Sequence, residues 1–400
     1  MEKINVPYSG FKLLMDLTEY KDPFELREII SEAESSYTIA SIKKRSGGIR
    51  KLSIPSDDLK EFQGRFLRMF LRRIEKRGLL DEDLTAGKSK GPIVNAHIHN
   101  FLYMGNVIKI DLKDAYTSVK DSVIIDALRS ILVNEVNECR ELAKKRAEKR
   151  ISFKNYPRPP ILSNRKVPWF RWLIRQEGKE YLINTYIEDF LSELKPLITN
   201  EGCLPQGPPT SPFLMALVLT HLNVINDIKR FLSENTKGKC LVTIYADDIV
   251  ISSSSDQRDK INEIIEIIES NGILKVNKEK TRVYSKKRGG ALITGLRVSE
   301  QNVSGEKLSS LINTMKKKSV RKKARQNLEQ NKSFKVSSVG FPKKIIKKVR
   351  GIINRAIYDK TLTNTAKGYI SLARGVYKNQ TMPNQLKKVI SKFENNKATS

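Results

Sequence analysis

Apolar residues recur along this 400-residue chain with two interleaved periods. Leu13, Leu14 and Leu17, then Phe24, Leu26 and Ile29, fall at helical spacing across residues 11–34, interrupted at Pro23. The period shortens over residues 37–42 and 50–55, predicting two strands joined by the basic, glycine-containing tip Lys43-Lys-Arg-Ser-Gly-Gly. Leu59, Phe62, Phe66, Leu67, Phe70, Leu71 and Ile74 predict a helix that Asp57 or Asp58 caps and Gly78 ends. A short strand is expected over residues 107–112, and mostly helix to about residue 149. Residues 150–172 are irregular, with Pro157, Pro159, Pro160 and Pro168 among basic and aromatic residues. Pro208, Pro209 and Pro212 lead into a helix from about Phe213 to Phe231. Residues 241–252 read as a hairpin with an acidic tip, and Asp256 as the cap of a helix carrying Ile261, Ile264, Ile265 and Ile268 that stops at Gly272. Residues 274–276, 281–284 and 291–298 are strand-like, and the chain reads helical and basic from Lys307. No internal repeat and no long disordered tract is visible.

Charge adds a second layer. Lys and Arg number 74 against 44 Asp and Glu, a formal +30. Residues 1–36 hold eight acids and four bases, whereas residues 315–400 hold 23 bases and three acids. Such a concentration of cations predicts a polyanion partner, because phosphate contacts release counterions. At 39% hydrophobic and 30% charged, the chain has material for a large core and is too polar for an integral membrane protein. Its longest strongly apolar stretch, residues 213–225, is shorter than the roughly 20 residues a bilayer needs. The first ten residues lack a signal-peptide pattern. Cys139, Cys203 and Cys240 form neither a disulfide framework nor a paired zinc spacing. The expectation is a cytoplasmic protein with no membrane partner.

Three carboxylates stand where an acid is costly. Asp111 ends a strand that should be half buried, and Asp247 and Asp248 lie between two apolar β-runs. Adjacent carboxylates repel unless a cation neutralises them. A hard divalent ion takes few carboxylates plus substrate phosphates, and two such ions can clamp the attacking and leaving oxygens of a phosphoryl transfer. A plain hairpin turn remains the other reading of the Asp-Asp pair.

Here the residues resemble a known family. Tyr245-Ala-Asp-Asp is similar to the hallmark of reverse transcriptases. Asp111-Leu-Lys-Asp-Ala-Tyr116 resembles their first catalytic motif and Leu204-Pro-Gln-Gly-Pro-Pro-Thr-Ser-Pro212 their second. Asn277-Lys-Glu-Lys-Thr281, and Leu296 with its preceding glycine, resemble the next two. The motifs come in the family's order across roughly residues 37–300. The resemblance implies an α+β right-hand polymerase: fingers, a palm with an antiparallel sheet, and a helical thumb. Asp111, Asp247 and Asp248 are then the catalytic, metal-binding residues, holding two Mg²⁺ ions for which Mn²⁺ can substitute. Asp111 and Asp247 supply the ligands and Asp248 assists at the primer-end metal. Tyr116 is expected to crowd the sugar 2′ position and favour dNTPs. Gln206 and Gly207 would approach the nucleotide, Lys44 and Arg50 close over its triphosphate, and Lys280 meet the leaving pyrophosphate. Which of Lys43, Lys44 and Arg45 points inward stays open.

Two further patterns resemble retron reverse transcriptases. Asn95-Ala-His-Ile-His99 is similar to their NAxxH signature, in which Asn95, Ala96 and His99 are the matching positions. Ile293-Thr294-Gly295 resembles their VTG signature. A structural or RNA-contacting role is expected for the two histidines, rather than metal binding. The resemblance implies a bacterial, cytoplasmic enzyme that copies part of a cognate structured noncoding RNA into branched, RNA-linked single-stranded DNA. Its other partners would be dNTPs, the DNA product and an effector protein in anti-phage defence. Departures exist: Ala115-Tyr116 replaces the usual paired aromatics, and residues at about 140–175 look inserted. That insertion holds Arg158, Arg165, Lys166, Trp169 and Trp172, a basic and aromatic mixture suited to phosphates and bases. The expected organisation is an N-terminal helical extension (1–36), fingers (37–106), palm (107–300) and basic thumb (301–400). In the thumb, Lys343, Lys344, Lys347, Lys348 and Arg350 are expected to bind RNA. Two alternatives stand beside this reading: another defence-associated or group II intron-like reverse transcriptase with a different primer, and a catalytically idle RNA-binding scaffold.

Overall fold

Local signals account for most of the elements in a computed structural model of the chain. It describes residues 9–43, 48–84, 91–100, 105–147, 161–163, 178, 180–286, 290–303, 326, 334–357, 362–377 and 382–398. The Ser9 side chain accepts the Lys12 amide to start α1 (Gly10–Thr18). Asp22 accepts the amides of Phe24 and Glu25 at the head of α2 (Pro23–Glu32). Pro23, expected as an interruption, starts a helix instead, because the N–H it lacks is not needed in the first turn. β1 (Tyr37–Lys43) and β2 (Ile49–Pro55) form the predicted hairpin. Ser56, rather than Asp57 or Asp58, caps α3 (Asp57–Phe66) by accepting the Leu59 amide. The two aspartates lie in its first turn, where the helix dipole favours them. A π turn, Leu67–Leu71, leads into α4 (Arg72–Arg77), which Gly78 closes at φ 76°.

α5 (Gly91–Ile98), β3 (Asn106–Asp111), α6 (Ala115–Ser118) and α7 (Asp121–Ala147) follow, then α8 (Glu180–Ile198). The single helix predicted next is two, α9 (Ser211–His221) and α10 (Val224–Asn235), bent by 47° around Asn223 at φ 56°. No single helix among the described residues is long and apolar enough to cross a membrane. β4 (Cys240–Tyr245) and β5 (Asp248–Ser253) come next. Asp256 accepts the Arg258 amide and opens a 3-10 turn ahead of α11 (Ile261–Glu269), so it does not cap the helix itself. Of the strand-like run 274–276, only Val276 pairs, as a single bridge to Leu112. β6 (Arg282–Ser285) follows. The strand expected over 291–298 is a hairpin, β7 (Ala291–Ile293) and β8 (Leu296–Val303). The tail read as wholly helical contains β9 (Phe334–Gly340), paired with β8, before α12 (Lys343–Arg355), α13 (Thr363–Val376) and α14 (Asn384–Ala398). The helical reading failed there because the two-residue period is short and broken: Phe334 and Val336 keep it, but Ser338 is polar and Val339 falls out of phase.

The chain divides into two units. The first comprises Met1–Ser89, Leu112–Ile228 and Glu263–Asn277. In it Phe62, Phe66 and Phe70 stack along α3 and the π turn, with centroids 6.2 and 5.3 Å apart, and Phe70 meets Phe190 of α8 edge-on. Gln63, fully buried, donates to the Tyr37 hydroxyl and the Leu197 carbonyl, both at 2.9 Å. Arg77 pairs with buried Glu135 at 2.9 Å and with Glu138 at 2.6 Å. Burial pushes the Glu135 carboxyl above its ordinary range, against the pull of Arg77.

The second unit comprises Lys90–Asp111, Lys229–Asn262 and Lys278–Ser400. Its antiparallel four-stranded sheet runs β4-β5-β3-β6, and a three-stranded sheet runs β7-β8-β9. Strand alternation gives the larger sheet two unlike faces. One carries Ile108, Ile110, Val242, Ile244, Ile249 and Ile251, all buried. The other carries Asp111 and Asp248, Lys109 and Val250, then Val107 and Ser252, in successive cross-strand pairs. Val107 and Val250 belong to one apolar core with Ala96 of α5, Ile293 and Leu296 of the small hairpin, and Val349, Ile370 and Val389 of the last three helices.

Candidate active site

Asp111 is the last residue of β3, and its register partner on β5 is Asp248. Although 137 positions separate them, the two are directly opposed, on the same face, with Cα atoms about 4.5–5.5 Å apart by antiparallel geometry. β4 and β5 turn through a two-residue loop, Ala246-Asp247, between the paired Tyr245 and Asp248. Ala246 adopts φ 57°, a conformation L-residues rarely take, and this tight turn sets Asp247 next to the opposed pair. Two ammonium groups answer the charge: Lys109 lies 2.8 Å from Asp248 Oδ2 and Lys280 lies 3.0 Å from Asp111 Oδ2. Both carboxylates keep an opening to solvent, with 15% and 20% of their side chains exposed. Acceptor-only oxygens that converge at a half-open sheet edge and already attract cations are a donor set suited to a hard divalent ion. Among the described residues, no three His, Cys, Asp or Glu side chains close into a metal cluster by themselves. Ligands beyond the carboxylates must come from elsewhere. Lys109 escaped the sequence reading, although its two-residue spacing from Asp111 places it on the same face.

A buried polar network lies on the same face of the sheet, farther from the acids. His99 and Asn95 are fully buried. The Thr243 hydroxyl donates to Asn95 Oδ1 at 2.7 Å. That uses its only hydrogen, so at its 2.7 Å contact with His99 Nε2 it must accept. His99 is therefore the Nε2–H tautomer, and its bare Nδ1 accepts from Ser252 at 2.7 Å. Burial, helped by the charge of Lys286, drops the His99 pKa to about 3, so the ring is neutral. Lys286, also fully buried, donates through Nζ to the His99 carbonyl and through its backbone amide to Gly105 O at 2.9 Å. Among the described residues Asn95 Nδ2 finds no acceptor, an omission that costs about 1–3 kcal/mol. Of the structural or RNA-contacting role expected for the two histidines, the geometry gives the burial and the bonds of His99. The roles of Thr243, Ser252 and Lys286 were not legible, because nothing in a strand's pattern says which hydroxyl meets a distant helix.

The other two signature residues form the β7–β8 loop. Thr294 and Gly295 have φ 46° and 80°, the positive pair a tight two-residue turn requires. A β-branched residue is strained there, and the Thr294 hydroxyl donates to the Pro92 carbonyl of α5 at 2.7 Å. Residues 95–99 and 294–295, some 200 positions apart, thus meet at α5 and the residue that follows it.

In the first unit, the Gln206 carbonyl accepts the Ser53 amide at 2.9 Å, and Gly207 sits at φ 138°. A Cβ on Gly207 would lie 2.6 Å from the Ser53 carbonyl oxygen, so only glycine lets this loop lie against β2. The hydroxyls of the following Thr210 and Ser211 are buried with no partner among the described residues. Tyr116 is half-buried on α6, and Arg50 is exposed on β2. In the second unit, α12 exposes Lys344, Lys347 and Lys348 and buries Val349, Ile352 and Ile353. Arg350 instead donates to Gln385 of α14 at 2.7 Å. Lys343 begins α12. Lys44, Arg158, Arg165, Lys166, Trp169 and Trp172 lie outside the described residues.

Residues 168–321 match the reverse transcriptase (RNA-dependent DNA polymerase) family. The chain carries a reverse transcriptase domain. Reverse transcriptase domains generally use divalent metal ions, in keeping with the carboxylate set described above. The match includes Asp247, Asp248, Gln206 and Lys280 but stops short of Asp111, which the sheet register supplies. No curated protein matches the sequence. Among solved structures the chain is similar to telomerase from Candida albicans in complex with a TWJ fragment of telomeric RNA. That likeness is 14% in identity, over 92% of this chain and 66% of the other, with a TM-score of 0.41. It is similar to apo telomerase from Candida tropicalis at 15% identity, over 67% of this chain and 47% of the other, with a TM-score of 0.39. The chain spans about half to two thirds of the length of these telomerases.

Proposed function

We propose that this reverse transcriptase domain acts as the RNA-directed DNA polymerase of a bacterial retron. In this reading it copies a cognate structured noncoding RNA into branched, RNA-linked single-stranded DNA within an anti-phage defence system in the cytoplasm. The observation that carries the polymerase part is the opposition of Asp111 and Asp248 beside the Asp247 loop. The retron part is supported by the meeting of the two signature segments, Asn95–His99 and Thr294-Gly295, on α5.

Asp111, Asp247 and Asp248 would hold Mg²⁺, which when bound supplies charge neutralisation for the transferred phosphoryl group and lowers the pKa of the primer hydroxyl. The chain's own residues do the rest. The rigid β3–β5 register fixes where the primer end and the triphosphate meet. Lys280, 3.0 Å from Asp111, would take the leaving pyrophosphate. Lys109 keeps Asp248 aligned across the strands. Tyr116 restricts the sugar 2′ position, and the Gln206-Gly207 loop supports the nucleotide with backbone. The exposed lysines of α12 would grip phosphates of the RNA.

The test is to express the chain together with the DNA that lies upstream of its gene, recover bound nucleic acid and sequence it. A single structured RNA joined to a short DNA through a linkage cut by debranching enzyme is expected. DNA synthesis on any primed RNA template, with no such species, would favour the group II-like alternative. RNA binding with no synthesis at all would favour the idle scaffold.

A further inference from the structure

α5 is anchored on two sides, and the two sides belong to different parts of the second unit. On one side, His99 spans both arms of the catalytic hairpin, reaching Thr243 on β4 and Ser252 on β5. Asn95 adds a second bond to Thr243. Thr243 is two residues from Tyr245, the register partner of Asp248. The imidazole therefore staples the two strands whose loop carries Asp247. On the other side, Pro92 accepts from the strained Thr294 of the β7–β8 turn. The His97 ring bonds the Val376 backbone at the end of α13. Ile93 approaches α13 so closely that a Cβ on Gly375 would lie 2.8 Å from its Cδ1. Between these ends Ala96 is packed in the core shared by Val107, Val250 and the last three helices.

We propose that α5 is a positioning strut. It ties the C-terminal helices and the Thr294-Gly295 turn to the hairpin bearing Asp247 and Asp248, with Thr294, His99 and Ser252 as positioning residues. The placement of the carboxylates then depends on how the C-terminal helices are held, for instance by a nucleic acid gripped on α12. Three features point this way. The network adds directional bonds to the apolar packing of Ile93 and Ala96, so it fixes geometry as well as separation. Asn95 keeps a buried amide that has no acceptor among the described residues, a cost that apolar packing would avoid. Thr294 keeps a side chain that its backbone conformation disfavours, and that side chain makes the bond to α5.

The strut rests on the polymerase reading only for its consequence in catalysis, so the deciding measurement is independent of activity. Amide hydrogen exchange of the full chain is compared for wild type, Thr294→Val and Ser252→Ala, with Thr294→Ser as the variant that keeps the hydroxyl. The expected result is exchange at least tenfold faster for the amides of residues 244–249 in Thr294→Val, and reciprocally faster exchange at 291–297 in Ser252→Ala. Thr294→Ser should resemble wild type. Acceleration confined to the mutated hairpin would overturn the strut, and if Ser252→Ala does not fold, the Thr294 pair decides alone. The same proteins are then assayed on a primed RNA template. Thr294→Val should slow nucleotide addition threefold or more while the Kd for template–primer stays within twofold. Distant exchange coupling with a normal rate would remove the positioning role. Coupling in a wild-type protein that makes no DNA would sink the polymerase reading and leave the strut standing.

Discussion

The two faces of the four-stranded sheet are built from the same three strands and do opposite work. One face is a lattice of isoleucine and valine, with Ile108, Ile110, Val242, Ile244, Ile249 and Ile251 at most 1% exposed. On the other face, the residues alternating with these are Asp111, Lys109 and Asp248 at the acidic end, then Thr243 and Ser252 beside Val107 and Val250, which pack into a second core. Alternation with a period of two lets a single hairpin carry a rigid foundation and a charged working surface with no residue shared between them. Stability and chemistry should therefore be separable by choosing the parity of the residue changed.

The largest effect tests the charged face. Asp111→Asn or Asp248→Asn should reduce nucleotide addition by on the order of a thousandfold or more, because metal ligation and transition-state charge are lost together. Neither substitution should lower the melting temperature much, since relief of the repulsion between opposed carboxylates offsets the lost ion pair with Lys280 or Lys109. Primer extension and thermal unfolding on the same samples check this, and a large fall in stability would erase the distinction between the faces. The mirror experiment is Ile251→Ala on the apolar face. It should cost about 2–5 kcal/mol in urea unfolding while the rate per folded molecule stays within about twofold.

A third test concerns pH. His99 is neutral when folded, with its pKa near 3, whereas an unfolded histidine titrates near its ordinary 6.5. Between these values the unfolded chain binds the extra proton. The contribution of His99 to stability is thus fully present above pH 6.5 and is lost as pH falls toward 3, with a slope of up to about 1.4 kcal/mol per pH unit. His99→Gln should flatten the stability profile in that window, as followed by denaturant titration from pH 7 to 4. An unchanged slope would place the sensitivity in other groups. The smallest effect lies away from the sheet. Lys344, Lys347 and Lys348 changed together to Gln should weaken RNA binding only modestly and make its salt dependence shallower, by about 0.7–0.9 per lost phosphate contact. Filter binding across a salt series reads that slope.

Legibility in the sequence followed the range of the signal. The β1–β2 hairpin, the α3–α4 run ending at Gly78 and the acidic β4–β5 turn could be read, because each rests on local periodicity and turn chemistry. The helix break at Asn223 could not, since apolar residues continue across it and the left-handed backbone that makes the bend leaves no mark in hydrophobicity. β9 was hidden by its short, broken apolar alternation, and Ser56 by two neighbouring aspartates of stronger charge. Within the site, Asp111, Asp247 and Asp248 stood out as acids in apolar strands. Lys109, Thr243, Ser252 and Lys286 did not, because their roles come from partners across the sheet or on α5.

The π turn at Leu67–Leu71 has a genetic consequence. A π turn accommodates one more residue than the α-helix around it, and each helical residue turns the chain by about 100°. An in-frame loss of a single codon there would leave composition, charge and helical propensity almost untouched. The π turn would close to an ordinary α turn, so the helix downstream would keep its phase and Arg77 its place against Glu135 and Glu138. In a mutational library, single-codon deletions should be accepted more often across those five residues than in the α turns on either side, where each lost residue turns Arg77 by about 100° off Glu135 and Glu138.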